Sequence, residues 1–217
     1  MPRVQKKPNR VALIAAPVAL LLAFVLWRHL SNPADKLHPS AAAGEVLAEE
    51  VARAIGGSGK VAVISRQPLE RGVEASREIL AAFEAGLKRH SKVTLAAADW
   101  LPRPRTGTMD LGIVTPEQFL AALQKHPEAN ALVILAGMTP YSAELADQLK
   151  TRSLKVLAVC GYTADVKRWL ESKAMAGAIV PRPGELPPGS PVPKTRQEWF
   201  QREFLLLTPE TLQNAPY

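Results

Sequence analysis

The residues that could do chemistry are few and dispersed. A single cysteine, Cys160, excludes an intramolecular disulfide and any cysteine-rich metal site. It falls in the apolar run KVLAVCG, where it reads as a small core residue, since free cysteine is among the most buried residue types. The four histidines, His29, His38, His90 and His126, are scattered, and none stands at i, i+4 from another ligand. No metal motif results, and no cofactor is expected. GGSGK at 56–60 resembles the end of a phosphate-binding loop, but Lys60 leads into a strand instead of a helix and no Ser or Thr follows it. It reads as a helix cap and turn. A dinucleotide fingerprint and a G-x-S-x-G nucleophile elbow are both absent. A phosphoacceptor site would need acidic residues after the first strand, where Arg66 and Gln67 stand.

What remains is a set of polar and aromatic residues that each follow a short apolar run. They are Ser65, Arg66 and Gln67; Asp99 and Trp100; Met138, Thr139 and Tyr141; Tyr162; and Arg182. Open α/β sheets bind ligands beyond the carboxyl ends of their strands, near the switch in strand order. Arg66, Gln67, Asp99, Trp100, Tyr141, Tyr162 and Arg182 are therefore the candidate ligand-binding residues. Two arginines, a carboxylate and aromatics could stack on and hydrogen-bond a small polar molecule. The competing reading makes them ordinary loop residues, with the aromatics covering the sheet end.

The elements that would position them alternate along the chain. Residues 41–55 read as a helix with Val46, Leu47, Val51 and Ile55 on one face, ended by Gly56-Gly57. Strands are expected at 61–65, 93–98, 131–136, 155–160 and 176–180. Helices are expected at 74–90, 116–125, 142–150 and 164–174. Continuous apolar runs such as ALVILA predict strands covered on both faces, as in a parallel sheet. The fold class is α/β: a three-layer sandwich with a five-stranded, mostly parallel sheet and right-handed crossovers. Thr115-Pro116-Glu117-Gln118 predicts a capping box, and Thr139-Pro140 and Thr163 look like similar helix entries. Thr208-Pro209-Glu210 repeats that local habit. Six prolines within 181–193 predict an extended linker. After it, a helix or turn and the strand FLLL (204–207) should dock back on the sandwich or pair with another subunit.

The location comes from the other end. Residues 11–27, VALIAAPVALLLAFVLW, hold no charge. As a helix they span roughly 25 Å, just short of a hydrocarbon core. Arg3, Lys6, Lys7 and Arg10 precede the run with no acid among them, which keeps that side cytoplasmic and sends the body across the membrane. A cleaved signal peptide is the competitor. The run exceeds the usual 7–15 apolar residues, and no small-x-small pair follows closely. The expectation is a single-pass signal anchor. A cytoplasmic tail (1–10), the membrane segment (11–27) and a linker (28–40) would precede an α/β domain (41–183). A proline-rich linker (184–195) and a docking segment (196–217) would follow. The partners would be the lipid bilayer and, beyond it, a second copy or a membrane complex. The net charge of +7 does not argue for nucleic acid, because residues 1–30 hold five basic and no acidic residues, leaving 22 against 20 elsewhere.

KVAVISRQ, EASREILAAFEAGLKRH, ANALVILAG, LKVLAVCGYT and AGAIVPRPG together resemble one lobe of a type I periplasmic solute-binding protein. The F-x-x-G-L ending of the helix expected at 74–90 (Phe83, Gly86, Leu87) is part of the likeness, which spans residues 58–183. The resemblance implies an extracytoplasmic, non-enzymatic ligand-binding ancestry. Members of that family close a ligand between two such lobes, and this chain has room for one. A second subunit would have to supply the other half. The other readings are a subunit of a membrane complex, and an enzyme acting at the carboxyl ends of the strands.

Overall fold

A computed structural model describes residues 39–66, 74–102, 113–184 and 190–216. The apolar segment 11–27 and Gln67 lie outside these residues. No helix among the described residues is long and apolar enough to cross a membrane.

The first helix, α1 (Pro39–Ala54), turns its Leu47, Ala48, Val51 and Ala52 inward. It ends where Gly56 and Gly57 take φ of 69° and 77°, conformations that disfavour a Cβ. The Gly57 N–H donates back to the Ala52 carbonyl at 2.7 Å, satisfying one of the helix's last acceptors. Alternation then follows: β1 (Gly59–Arg66), α2 (Glu74–Leu87), β2 (Val93–Leu101), α3 (Pro116–Lys125), β3 (Ala131–Ile134), α4 (Ala143–Thr151), β4 (Lys155–Val159), α5 (Ala164–Glu171) and β5 (Met175–Pro181). After the proline-rich stretch come α6 (Arg196–Glu203), β6 (Phe204–Leu207) and a 3-10 turn (Leu212–Asn214).

The sheet has six strands in the order β2-β1-β3-β4-β5-β6. The first five pair in parallel, and β6 runs antiparallel to β5, with Val180 opposite Leu205. The expected five-stranded sheet is thus a mixed six-stranded one. Its extra strand begins where β5 ends, with Phe204 opposite Pro181, so the chain returns along β5 in the opposite sense.

The layering explains why the strands read as unbroken apolar runs. Ala62, Ile64, Leu132, Ile134, Val156, Ala158, Ala178 and Val180 face α3, α4 and α5. Their neighbours Val61, Val63, Ala131, Val133, Leu157 and Ile179 face α1, α2 and α6. Period-2 alternation therefore distributes apolar side chains to two cores instead of to one core and solvent. The α1–α2 contact is unusually close. A Cβ on Gly44 would stand 2.3 Å from the Ile79 carbonyl oxygen, and one on Gly86 2.6 Å from Ala48 Cβ.

Helix entries follow the sequence with one exception. The Gln118 N–H donates to Thr115 Oγ1 at 3.3 Å while the Thr115 N–H donates to Gln118 Oε1 at 3.1 Å, closing the capping box. Thr163 caps α5, its hydroxyl accepting from the Val166 N–H at 3.2 Å. At α4 the cap is Ser142, whose Oγ accepts from the Leu145 N–H at 3.4 Å. Thr139, expected in that role, is fully buried three residues earlier. Replacing Thr115 by Ala should cost about 1 kcal/mol in the urea unfolding of the full chain.

Candidate functional site

The strand order reverses between β1 and β3, so the switch point lies where Arg66 ends β1 and Leu135–Gly137 follow β3. The approach of Ile113–Val114 shapes this point. Ile113 forms a parallel bridge with Gly137, and the Val114 N–H donates to the Gly137 carbonyl at 2.8 Å. Arg66 is buried beneath them. Its Nη2 donates to the Ile113 carbonyl, and its Nη1 reaches the Pro102 carbonyl at 3.5 Å. The guanidinium thus holds both described ends of the connection between β2 and α3. A planar group with several fixed donors suits that bridging better than a lysine would.

Two hydroxyls at this edge are buried without a hydrogen-bond partner: Ser65 Oγ and Thr139 Oγ1, on residues 1% and 0% exposed. Leaving such groups unmatched costs about 1–3 kcal/mol each. Ser65 shares the row of Val61 and Val63, facing α1 and α2. Thr139 lies toward α5, where its carbonyl accepts from Trp169 Nε1 at 2.9 Å. Trp169 is fully buried and meets Tyr141 edge-on at 5.2 Å between ring centroids. The Tyr141 N–H donates to Asp165 Oδ1 at 3.2 Å. The indole N–H of a buried tryptophan needs an acceptor. That requirement was the sequence signal for this link, although it does not name the partner.

Asp99 and Trp100 are placed differently from expectation. β2 continues to Leu101, so both stand within the edge strand instead of the loop after it. Asp99 accepts from Lys125 Nζ at 2.6 Å and bonds His126 Nε2 at 2.7 Å, tying the end of α3 to the sheet. Burial works against its charged form, but these two partners outweigh burial and hold the carboxyl below its ordinary range. Stability gained this way is present above the ordinary carboxylate pKa and is lost as pH falls through the lowered one. Asp99→Asn should therefore cost on the order of 1–2 kcal/mol at neutral pH. The gap to the unsubstituted protein should close in acid, as urea midpoints measured from pH 7 down to pH 3 would record.

Trp100 packs against the core beneath α1 and α2. Arg182 is exposed, with Nη2 3.5 Å from the Phe204 carbonyl beside the β5–β6 pairing. Tyr141 opens into a hollow of about 350 Å³ between α3 and α4, shared with Leu120, Pro140 and Leu145. Tyr162 opens into a different groove, of about 460 Å³, beside α5 and the 3-10 turn. The edge thus brings Arg66 and the 137–141 segment together at the switch point. It leaves Asp99, Trp100 and Arg182 outside that grouping. Cys160 is a core residue: its thiol is pushed up to about 12 by burial, against a smaller opposing effect of the Met138 backbone. Such a thiol is no nucleophile. Among the described residues no cluster of three or more potential ligands could hold a metal ion.

No family model matches the sequence, and no curated protein does. Solved structures do. A solute-binding protein of an ABC transporter from Burkholderia graminis, in complex with D-arabinose, superposes with a TM-score of 0.55 at 18% identity, covering 82% of this chain and 62% of its own. An arabinose-binding protein from Geobacillus stearothermophilus gives 0.55 at 12% identity, with 82% and 63% covered. A solute-binding protein from Agrobacterium vitis, bound to α-D-tagatopyranose, gives 0.51 at 15%, with 81% and 58% covered. The chain spans about three fifths of the length of these structures. The domain's fold is similar to that of ABC transporter periplasmic solute-binding proteins.

Proposed function

We propose that this chain is a membrane-tethered, extracytoplasmic, non-enzymatic binding module, and that the carboxyl edge of its sheet takes a small polar ligand of the monosaccharide kind. The observation that carries the reading is the solute-binding fold with unpartnered hydroxyls, Ser65 and Thr139, buried at the switch-point edge. A polyhydroxylated ligand is the chemistry such donors and acceptors serve. The edge contributes one wall of a cleft, and a second copy of the chain or another subunit of a membrane complex would supply the opposite wall. One wall supplies part of the contacts, and a millimolar dissociation constant, about −4 kcal/mol, is the scale to expect of the chain alone.

Calorimetric titration of the full chain with D-arabinose and with D-tagatose tests this. Saturable heat in the millimolar range is expected. No heat with any of a panel of pentoses and hexoses at tens of millimolar would overturn the ligand class. The tether, residues 11–27, predicts that alkaline carbonate leaves the full chain in the membrane pellet; recovery in the supernatant would refute anchoring.

A further inference from the structure

The opposite edge of the sheet carries a second concavity. Where β4 and β5 begin, a cleft of about 450 Å³ opens between α1, α4 and the segment after β6. Its apolar floor includes Leu157 and Met175, and four cations from three stretches of the chain line it, Arg53, Lys150 with Lys155, and Lys173, beside the carboxylates of Glu50 and Glu210. Arg53 Nε donates to Glu50 at 3.0 Å, and Lys150 pairs with Asp147 at 3.3 Å. Lys155 and Lys173 have no ion pair among the described residues. The Glu210 carboxylate closes one side, held below its usual range by the Thr208 hydroxyl and its own backbone, with Arg53 and Lys173 adding attraction.

A second, independent observation singles out the same cleft. Ser153 and Lys173 are the non-glycine residues with positive φ among the described residues, at 54° and 59°, and both line it. Each follows the C-cap of a helix, Arg152 for α4 and Ser172 for α5. Glycine is the usual occupant of that position because a Cβ disfavours the left-handed conformation. Here the sequence gives up the favoured glycine twice around one cavity, in one case for a lysine whose carboxylate neighbour, Glu210, attracts it without forming an ion pair. Strain of this kind concentrates at functional sites. The ends of α1, α4 and α5 bring partial negative charge to the same edge, which the cations also answer. That helix-end role alone would be served without left-handed side chains.

We infer that this cleft is a binding site, separate from the carboxyl edge, for a small molecule carrying two or more anionic groups. Lysine ammonium groups on flexible stems, without a cradle of helix N-termini, suit spread charges more than one tightly held phosphate. The inference does not depend on the sugar reading of the other edge.

Thermal unfolding of the full chain, in citrate and in inorganic pyrophosphate against sodium chloride of equal ionic strength, tests it. The unsubstituted protein should show a saturable rise of several degrees in Tm. Saturation with only one anion assigns the carboxylate or the phosphate class. The Lys155→Ala, Lys173→Gly protein should lose the saturable rise while melting higher in chloride, because glycine relieves the left-handed strain. Lys155→Ala alone should keep the parent Tm in chloride and weaken the response several-fold. No rise in the unsubstituted protein, or an equal rise in the double variant, as solute exclusion would give, overturns the inference.

Discussion

Gly44→Ala should destabilise the domain by about 2–3 kcal/mol, although alanine is the better helix former by about 1 kcal/mol. The sign reverses because of what the new methyl meets. Its Cβ would stand 2.3 Å from the Ile79 carbonyl oxygen, 2.8 Å from Ala82 Cβ and 3.0 Å from the Phe83 backbone nitrogen. Two of these are backbone atoms inside α2, and they cannot move aside without shifting the helix. Phe83, fully buried, sits at that contact and would lose its place between α2 and the sheet. Gly44→Val adds two methyl groups to the same clash and should leave no cooperative unfolding transition. Urea midpoints of the two variants, read with far-ultraviolet circular dichroism, check both outcomes. A Gly44→Ala protein as stable as the parent would mean that α1 and α2 lie farther apart.

The second large effect is expected at Trp169. This side chain is fully buried among the residues joining α3, α4 and α5 to the sheet, with Phe119 6.3 Å and Tyr141 5.2 Å away between ring centroids. Trp169→Ala should cost about 3–5 kcal/mol, the range for emptying an aromatic site that surrounding helices cannot close. Trp169→Phe separates packing from polarity. It retains most of the apolar fill but removes the donor to the Thr139 carbonyl, leaving a buried acceptor unmatched at about 1–3 kcal/mol. Because Thr139 and Tyr141 belong to the switch-point edge, the phenylalanine protein should also bind monosaccharide more weakly than the parent. A Trp169→Phe protein of parental stability would show that the indole hydrogen bond contributes nothing net.

How far the sequence foretold this architecture depends on which force placed each residue. VAVI, ALVI, VLAV and AIV were legible because burial on both faces demands uninterrupted apolar side chains, a requirement each segment meets alone. Asp99 was misplaced for the converse reason. A carboxylate reads as the end of a strand, and its real partners, Lys125 and His126, lie 26 and 27 residues away. The direction of β6 stayed open because FLLL fits either sense of pairing; it runs against β5 because it starts beside that strand's end, Phe204 opposite Pro181.

Arg66 illustrates a limit of another sort. Its position after β1 nominates it for ligand contact, while its guanidinium is used on the carbonyls of Pro102 and Ile113. Backbone acceptors carry no side-chain signature, so no spacing rule can announce them. Gly44 was equally silent within a helix read by its apolar stripe. The clue was a small-residue pair one turn apart, Gly44 and Ala48, set against Ala82 and Gly86. Close helix approach needs such pairs, and a hydrophobic pattern does not register them.

The assignment of ligand binding to the carboxyl edge is tested most directly by following the backbone amide resonances of the full chain during titration with D-arabinose. Saturable shifts are expected at residues 65–66, 113–114, 137–141 and 160–162, with the amides of Lys155 and of residues 173–175 at the opposite edge unmoved. Shifts gathered at that opposite edge, or none at any concentration up to tens of millimolar, would contradict it.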